Sequence, residues 1–215
     1  MSKSTSAKVT IIDYGAGNLL NVQRAFEHQG AQTEIATTPE QVEQAERLVF
    51  PGVGAFPEAM QQLKTQNLVE AIQIAAEQKP FLGICLGMQM MLEESEEFGT
   101  TEGLKLLPGK VRKLPETSVS GEVMTIPHMG WAQIRPNKTA WQSSLLASVP
   151  EANAFYFVHS YFAEVANEAD QLAVFDFGGH AITAAVQQDN RMGCQFHPEK
   201  SGEMGLKLIE AFLKV

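Results

Sequence analysis

The sequence predicts an α/β fold: one three-layer domain with a mostly parallel central sheet, helices on both of its faces and an added antiparallel, strand-rich second half. Through the first half, short runs of Val, Ile, Leu and Phe alternate with segments of helical periodicity, which is typical of a parallel sheet. After residue 104 the strand-like runs follow one another closely, as they do in antiparallel sheets. The 215 residues, 44% of them hydrophobic, are enough for one packed core, so we expect residues 1–215 to form a single domain.

The predicted elements of the first half come in pairs of a strand and a helix. Strands are predicted at 9–12, 47–50 and 81–84, where apolar and β-branched residues are concentrated. Helices are predicted at 19–29, 55–78 and 86–92, where apolar residues recur every three or four positions. The second half predicts strands at 131–134, 154–161, 172–177, 182–186 and 192–196. It ends in a helix at 203–215, with Met204, Leu208, Ile209, Phe212 and Leu213 at helical spacing.

Charge and composition exclude several classes of function. The chain carries 16 Lys and Arg against 25 Asp and Glu, a net charge of −9, whereas nucleic-acid binders present a basic surface. The longest mostly apolar stretch, residues 80–92, is too short to span a membrane, and the polar N-terminal segment lacks the hydrophobic core of a secretory signal. We therefore expect a cytoplasmic protein that contacts neither nucleic acid nor membrane. In that reducing compartment Cys85 and Cys194 are expected to be free thiols.

The sequence Gly83-Ile84-Cys85-Leu86-Gly87 joins a predicted buried strand to a predicted helix. Small residues on both sides of a nucleophile permit the tight strand-to-helix turn of a nucleophile elbow, whose central side chain projects from the sheet edge. At the start of a helix, the helix dipole favours a thiolate over a thiol. Cys85 is therefore a candidate nucleophile, although a cysteine taken alone is as readily a small buried apolar residue.

A second group, Gln195-Phe196-His197-Pro198-Glu199, supplies a candidate base and a carboxylate to orient it. Pro198 keeps His197 extended, and alternate residues of an extended segment point the same way, so His197 and Glu199 can meet. The carboxylate would fix the imidazole tautomer, and the second ring nitrogen could take the thiol proton and later give it to a leaving amine. Cys85, His197 and Glu199 thus form a candidate catalytic triad. Alone, the second group is better explained by an ordinary turn with a solvated carboxylate.

A carbonyl attacked by a thiolate needs hydrogen-bond donors for the oxygen that becomes negative. The turn Pro51-Gly52-Val53-Gly54, directly after a predicted strand, can expose the backbone N–H groups of Val53 and Gly54. The N–H group of Leu86, the residue after the candidate nucleophile, is the usual second donor at such an elbow. An isolated Gly-x-Gly more often marks only a turn, so the predicted oxyanion site depends on the triad.

No cofactor and no metal are predicted. Residues 13–20 follow a strand and open a helix like a dinucleotide-binding loop, but Leu20 stands where that fingerprint requires its third glycine. The sequence has no P-loop pattern. Its five histidines have no metal-ligand spacing among themselves or with the cysteines.

With both motifs in place, the chain resembles the class I (triad) glutamine amidotransferases, whose elbow reads Gly-x-Cys-x-Gly followed two positions later by Gln, here 83–89. In that family the cysteine attacks the side-chain amide of glutamine, forms a glutamyl thioester and releases ammonia to an acceptor site. The His-Pro-Glu element at 197–199 matches the family's other signature. The resemblance implies a flavodoxin-like fold, L-glutamine as substrate, and catalytic roles for Cys85, His197 and Glu199.

Within the family, further motifs resemble the glutaminase subunits that work with a cyclase in histidine biosynthesis. These motifs lie at 13–18, 51–56, 127–131, 156–161 and 197–201, so they span nearly the whole chain. The residues that would help to hold glutamine, by that resemblance, are Gly52, Gln89, Ser160 and Tyr161. Those that would face the partner are Asn18, Met129, Trp131 and Lys200. Asn21 stands where the family more often has Ser, which bears on the interface and not on the triad.

The implied partner is a (β/α)8-barrel cyclase subunit in a heterodimer. With the ammonia, it converts a phosphorylated ribosyl-aminoimidazole carboxamide nucleotide to imidazole glycerol phosphate and an aminoimidazole carboxamide ribotide. A glutaminase without an acceptor would waste glutamine, and 215 residues leave no room for an acceptor domain. Gating follows as a hypothesis, in which the turn at 51–54 forms an oxyanion hole only once the partner holds its nucleotide.

Other functions stay open on the residues alone. A stand-alone cysteine hydrolase of the elbow type commonly has His directly after its Cys, where this chain has Leu86, and a glutaminase serving another synthase fits the same triad. A noncatalytic binding subunit would be signalled by loss of a triad residue, and all three are present. A redox pair of Cys85 and Cys194 is disfavoured, because no Cys-x-x-Cys spacing exists. Spacing alone favours a core role for His128, Trp131 and residues 156–161.

Overall fold

The computed structural model describes residues 7–15, 17–137, 141–142 and 144–215. Its strands are β1 (Lys8–Ile12), β2 (Gln32–Ala36), β3 (Leu48–Gly52), β4 (Phe81–Cys85), β5 (Glu94–Ser95), β6 (Thr101–Glu102), β7 (Gly109–Lys113), β8 (His128–Pro136), β9 (Ala154–His159), β10 (Tyr161–Val165), β11 (Gln171–Phe177), β12 (His180–Gln188) and β13 (Arg191–Cys194). Its α-helices are α1 (Leu19–His28), α2 (Pro39–Gln44), α3 (Phe56–Thr65), α4 (Leu68–Gln78), α5 (Leu86–Met90) and α6 (Gly202–Leu213). Short 3₁₀ turns follow β10 and β13, at Glu168–Asp170 and Pro198–Lys200.

The central sheet is mixed and runs in the order β2-β1-β3-β4-β13-β12-β11-β8-β9. Strands β2, β1, β3, β4 and β13 pair in parallel, and the pairs from β13 through β12 to β9 are antiparallel. A second, smaller sheet runs in the order β10-β7-β5-β6 and is not hydrogen-bonded to the first. The predicted α/β class, with a parallel half followed by an antiparallel half, is confirmed. The late strand β13 completes the parallel half beside β4, and this brings distant motifs together.

Helices cover both faces of the central sheet, because alternate residues of its inner strands point in opposite directions. On β1, Ile11 packs in a core cluster with Phe26 of α1 and Phe212 of α6, while Ile12 packs with Ile72 of α4 on the other face. All five side chains are fully buried. Strands buried on both faces read as continuous apolar runs, which is why the sequence predicts them well. None of the helices in the described ranges has both the length and the apolar character needed to cross a bilayer.

Two elements that the sequence predicts as continuous are each two elements. The helix predicted at 55–78 is wrong, since α3 and α4 are separated at Asn67, whose backbone is left-handed with φ 58°. The strand predicted at 154–161 is also wrong, since β9 and β10 part at Ser160 and join different sheets. The apolar pattern continues across both breaks, so periodicity alone does not detect them. Strand β2 was not predicted, because it is an edge strand of mostly half-exposed residues without an apolar run.

The elbow needs glycine because α5 packs directly on strand backbone. A Cβ atom on Gly87 would lie 1.8 Å from the carbonyl oxygen of Phe50, on β3. A Cβ atom on Gly83 would lie 2.8 Å from the backbone of Met88. Neither contact is possible without moving main chain, so the two glycines set how closely α5 and the neighbouring strands approach.

Replacing Gly87 with Ala is expected to lower the free energy of unfolding by about 3 kcal/mol, because β3 or α5 must shift to admit the methyl group. Gly17→Ala is the matched control, since its Cβ would meet Val53 Cγ2 at an ordinary 3.4 Å. That variant is expected to change stability by less than about 1 kcal/mol. Urea denaturation followed by circular dichroism measures both, and equal effects of the two substitutions would contradict this packing argument.

Candidate active site

Three neighbouring parallel strands, β3, β4 and β13, end at the same edge of the central sheet. In their register Gly52 lies beside Cys85, and Cys194 lies beside Ile84. The segments that follow β3 and β13 therefore flank Cys85. This is the sheet edge at which α/β proteins ordinarily bind their ligands.

Cys85 occupies a strained turn between β4 and α5. Its backbone has φ 54° and ψ −114°, a conformation that non-glycine residues rarely adopt. The residue is 7% exposed, and its Sγ atom lies 4.0 Å from the carbonyl oxygen of Val158 and 3.7 Å from Nε2 of Gln195. The geometry is that of a nucleophile elbow, with the thiol held at the sheet edge by backbone that has few alternatives.

His197 and Glu199 lie on the segment after β13 and contact each other. His197 Nδ1 is 2.8 Å from Glu199 Oε1, and their side chains are only 2% and 1% exposed. A carboxylate can only accept, so Nδ1 carries the hydrogen and Nε2 is left for another partner. Nε2 is buried and makes no hydrogen bond of normal geometry with the described residues. Cys85 is nevertheless close enough to interact with the ring electrostatically.

The charge of His197 depends on its two neighbours. Burial lowers the pKa of His197, but its interactions with Cys85 and Glu199 outweigh burial and raise the pKa from 6.5 to about 9. The imidazolium form is therefore favoured at neutral pH. A positive ring beside a sulfur favours the thiolate, which is the nucleophilic form of a cysteine.

A second buried imidazole, His159, has the opposite behaviour. Its pKa is lowered to about 4, chiefly by burial and in smaller part by the nearby rings of His128 and His197, while a hydrogen bond to the Tyr161 carbonyl acts in the opposite direction. His159 is neutral at physiological pH, so its Nδ1–H donates to the Tyr161 oxygen at 2.9 Å. The two histidines of the site therefore differ in charge.

A cavity of about 280 Å³ opens in front of Cys85 and His197. Its volume is close to the lower end, roughly 300 Å³, of ordinary small-molecule sites. The cavity walls include the predicted oxyanion donors Val53, Gly54 and Leu86 and the predicted glutamine ligands Gln89, Ser160 and Tyr161. The structure thus brings together residues from six separate stretches of the chain, at 53–54, 85–89, 97, 127, 158–161 and 197.

Two predicted residues lie behind the cavity wall. Glu199 sits behind His197 and does not line the cavity. Gly52, predicted to hold glutamine, does not line it either: a Cβ there would lie 2.7 Å from Gly87 N and 2.9 Å from Leu86 Cβ. Its place in the structure is under the elbow, where its lack of a side chain permits close packing.

Four residues of the cavity wall were not predicted: Glu97, Pro127, Val158 and His159. Pro127, Val158 and His159 lie inside motifs that the sequence analysis quoted, but spacing favoured a core role for the last two. Glu97 had no sequence signal, since it is one of several acidic residues between 93 and 97. Its Oε2 accepts a hydrogen bond of 2.7 Å from the backbone N–H of Phe56, at the start of α3.

Asn18, predicted to face a partner, contacts the triad. Its Nδ2 donates to Glu199 Oε1 at 2.7 Å, the same oxygen that His197 uses. Its own Oδ1 accepts from Nδ2 of the exposed Asn21 at 2.5 Å. Glu199 Oε2 is buried and has no hydrogen-bond partner among the described residues. A short chain of hydrogen bonds thus runs from the surface at Asn21 to the orienting carboxylate.

The other predicted partner residues form an exposed patch beside the triad. Met129 and Trp131 on β8 are 64% and 58% exposed, far more than is usual for such large apolar side chains. Trp131 packs edge-on against Tyr156, with ring centroids 6.1 Å apart, and the Lys200 ammonium lies 5.9 Å from the same Tyr156 ring. Met129, Trp131, Tyr156 and Lys200 therefore form one surface next to Glu199.

Both cysteines are free thiols, as expected. Cys194 is fully buried, and burial raises the pKa of its thiol well above the ordinary value, as do the nearby charges of Glu199 and Cys85. It is therefore a poor nucleophile compared with a thiol at a cavity wall. Within the described ranges, no group of three or more His, Cys, Asp or Glu side chains is placed to hold a metal ion.

Comparison with known proteins identifies similar sequences and a similar fold. The profile of the glutamine amidotransferase class-I family matches residues 10–215. The chain is 47% identical over 212 residues to "Imidazole glycerol phosphate synthase subunit HisH 1" of Legionella pneumophila (strain Paris), covering 97% of this chain and 100% of that one. It is 45% identical over 207 residues to the HisH subunit of Sulfurimonas denitrificans, covering 96% and 97%. The solved structure of PurLQS from Thermotoga maritima shares the fold, with a TM-score of 0.71 and 16% identity, covering 98% of this chain and 99% of that one.

Replacing Glu199 with Gln is expected to lower the pKa of His197 from about 9, because the imidazolium then has one fewer negatively charged neighbour to offset the effect of burial. Nitrogen-15 NMR titration of the histidine ring measures this pKa. In the wild type, the imidazolium stabilises the fold fully below pH 6.5, and that contribution is lost as the pH rises through about 9. The free energy of unfolding should fall over this interval more steeply in the wild type than in the variant.

The control for this titration is Glu203→Gln, which removes an exposed carboxylate nearby and should leave the pKa of His197 unchanged. A His197 pKa that stays near 9 in Glu199→Gln would show that Glu199 does not support the imidazolium.

Proposed function

This chain belongs to the class I glutamine amidotransferase family, and from that membership we propose that it is the glutamine-hydrolysing subunit of an imidazole glycerol phosphate synthase, with residues 1–215 as one glutaminase domain. The observation that carries this choice within the family is the full-length similarity to several subunits of that name. Glutamine amidotransferases are enzymes, and the cavity at Cys85 supports this chemistry for the chain in hand.

The reaction begins with Cys85 as nucleophile. Its sulfur attacks the side-chain amide carbon of glutamine, while the imidazolium of His197 stands ready to protonate the departing nitrogen. Ammonia leaves, and a glutamyl thioester remains on the sulfur. Water, losing a proton to the now neutral His197, then attacks the thioester carbon and releases glutamate. Glu199 holds the ring in the correct tautomer throughout, through the 2.8 Å contact with Nδ1.

The oxyanion formed in each step requires backbone donors. We assign this role to the N–H groups of Val53, Gly54 and Leu86, which belong to residues on the cavity wall beside Cys85. The register of β3 with β4 supports the assignment, because Val53 directly follows the residue that pairs with Cys85. The gating hypothesis places control at this turn, since a small rotation of its backbone would aim or withdraw the donors.

Glutamine needs groups for its charged ends and its amide. Glu97 is the carboxylate of the cavity wall, and we assign it to the α-ammonium group of the substrate. Its bond to Phe56 N fixes one oxygen and thereby orients the other. Gln89, Ser160 and Tyr161 line the rest of the wall and are assigned to the amide and the backbone of glutamine. Gly52 packs beneath the elbow, and its contact with glutamine stays a prediction.

The names of the relatives imply a partner subunit. We propose that the partner is a (β/α)8-barrel cyclase that takes the ammonia, and that it covers the surface of Met129, Trp131 and Lys200 with Asn18 at its margin. Exposed large apolar side chains beside the triad support this position. A partner here would also separate the ammonia from bulk water, where it would be protonated. Two free cysteines suit a reducing, cytoplasmic setting for the pair.

Glutamate and ammonia release from glutamine, measured for the chain alone and with the barrel cyclase carrying its nucleotide, tests this function. We expect strong stimulation by the loaded partner. Cys85→Ala should reduce the stimulated rate by about 10⁴-fold or more, because no other group can form the thioester, while still binding the partner in calorimetry. Glu199→Ala should retain slow turnover, because the orienting carboxylate does not bond to substrate.

A folded wild-type chain that releases no glutamate under any of these conditions would refute the glutaminase assignment and favour a noncatalytic binding subunit. Equal rates with and without the nucleotide-loaded partner would refute the gating hypothesis alone. Stimulated rates that survive in Cys85→Ala would move the chemistry to another residue.

Replacing Glu97 with Gln is expected to raise the KM for glutamine by about 10- to 100-fold with little change in kcat, because a hydrogen bond to a charged group contributes roughly 1.5–3 kcal/mol. The matched control is the neighbouring Glu96→Gln. Glu96 bonds to Arg112 and to the backbone of Lys113, and it does not line the cavity. Steady-state kinetics of the complex measures both variants, and equal KM values for Glu97→Gln and the wild type would remove Glu97 from the binding site.

A further inference from the structure

The side chain of Gln195 is a buried polar group that the mechanism above does not use. Gln195 is fully buried on the segment after β13, and its backbone N–H donates to Ala184 O at 2.9 Å. Its Oε1 accepts a hydrogen bond of 2.9 Å from Gln89 Nε2, and its Nε2 lies 3.7 Å from Cys85 Sγ. Buried amides are expensive unless both ends have partners, and here one of those partners is the candidate nucleophile.

The orientation of this amide is fixed by a backbone carbonyl. The oxygen of Tyr161 can only accept, and it accepts from Gln89 Nε2 at 2.8 Å and from His159 Nδ1 at 2.9 Å. The amide nitrogen of Gln89 must therefore face Tyr161, and its other hydrogen goes to Gln195. Gln195 consequently presents its oxygen to Gln89 and its nitrogen to the sulfur. A flip of either amide would set like groups against each other.

The sulfur therefore faces an N–H donor. A donor favours the form of its neighbour that accepts best, and for a cysteine that form is the thiolate. On its other side the Cys85 Sγ atom meets the Val158 carbonyl at 4.0 Å, a contact that suits only a protonated thiol. The N–H group of Gln195 and the Val158 oxygen thus contact the sulfur from two sides and together restrict its position.

We propose that Gln195 is a positioning residue for Cys85: its amide N–H holds the sulfur as a hydrogen-bond acceptor, in an orientation imposed by the Tyr161 carbonyl through Gln89. The effect on glutamine turnover rests on the proposed function. The effect on the thiol itself does not rest on that function, because it depends only on contacts within the free chain.

The test is the pH dependence of Cys85 alkylation by iodoacetamide in the full chain, with the labelled residue identified by mass spectrometry. Gln195→Met keeps the length of the side chain but removes the donor. We expect the midpoint of the alkylation profile to rise by about 1 pH unit, equivalent to a tenfold loss of thiolate preference. In the complex with the partner, kcat for glutamine should fall about tenfold while KM changes by less than about threefold.

Two further variants separate positioning from packing. Gln187→Met makes the same substitution on β12, where the amide oxygen accepts from the backbone of Leu145, and it should leave the midpoint unchanged. Gln89→Met retains Gln195 but frees its amide to flip, so it should raise the midpoint by a smaller amount than Gln195→Met. This variant also decides the question if Gln195→Met does not fold.

An alkylation midpoint equal to that of the wild type in folded Gln195→Met, or in Gln89→Met where the former is unfolded, would overturn the proposal. Because alkylation needs no glutamine, a raised midpoint supports the role of Gln195 even if the wild-type chain releases no glutamate. The absence of glutamate release by the wild-type chain would refute the proposed function instead.

Discussion

The parallel pairing of β4 with β3 on one side and β13 on the other is the constraint on which the site depends. It sets Gly52 beside Cys85, and it brings Gln195, 110 residues away in sequence, into contact with the sulfur. A slip of one residue in either pairing would turn each side chain of the shifted strand to the opposite face. Continuous apolar strands buried on both faces make such a slip costly, so the core that stabilises the sheet also fixes the active-site geometry.

Buried charge in the site is tolerated because it is shared among contacting groups. Glu199 is almost fully buried, which would be costly for an isolated carboxylate, but His197 and Asn18 both donate to its Oε1. His197 in turn is held positive by Glu199 and Cys85. His159, nearby and also buried, has a backbone carbonyl in place of a carboxylate, and it stays neutral. The difference between the two imidazoles is therefore one of partners, since burial alone acts on both in the same direction.

The sequence predicts the parts of this site that depend on local chain geometry. The elbow at Cys85 follows from its flanking glycines, and the contact of His197 with Glu199 was also predicted; the structure has both. The predicted reason for the contact is wrong, because only His197 is extended and Glu199 lies in the 3₁₀ turn Pro198–Lys200. Contacts between distant segments have no such local signal. Nothing in the sequence places Glu97 at the cavity or sets the Asn18 amide on Glu199, because each depends on how loops fold over the sheet edge. The break at Ser160 was missed for a related reason, since both flanking strands are apolar and only their partner strands differ.

The exposed patch on β8 and the sulfur of Cys85 are separated by a single strand. Met129 pairs with Val158 on β9, and the carbonyl oxygen of Val158 is 4.0 Å from Cys85 Sγ. At the other margin of the patch, the hydrogen bond from Asn18 reaches Glu199 directly. A molecule seated on this surface therefore touches residues that are one contact away from both the nucleophile and the orienting carboxylate. A bound molecule changes the geometry of a site only through contacts that differ between the free and bound states, and Val158 and Asn18 are the residues through which such a change would reach Cys85 and Glu199.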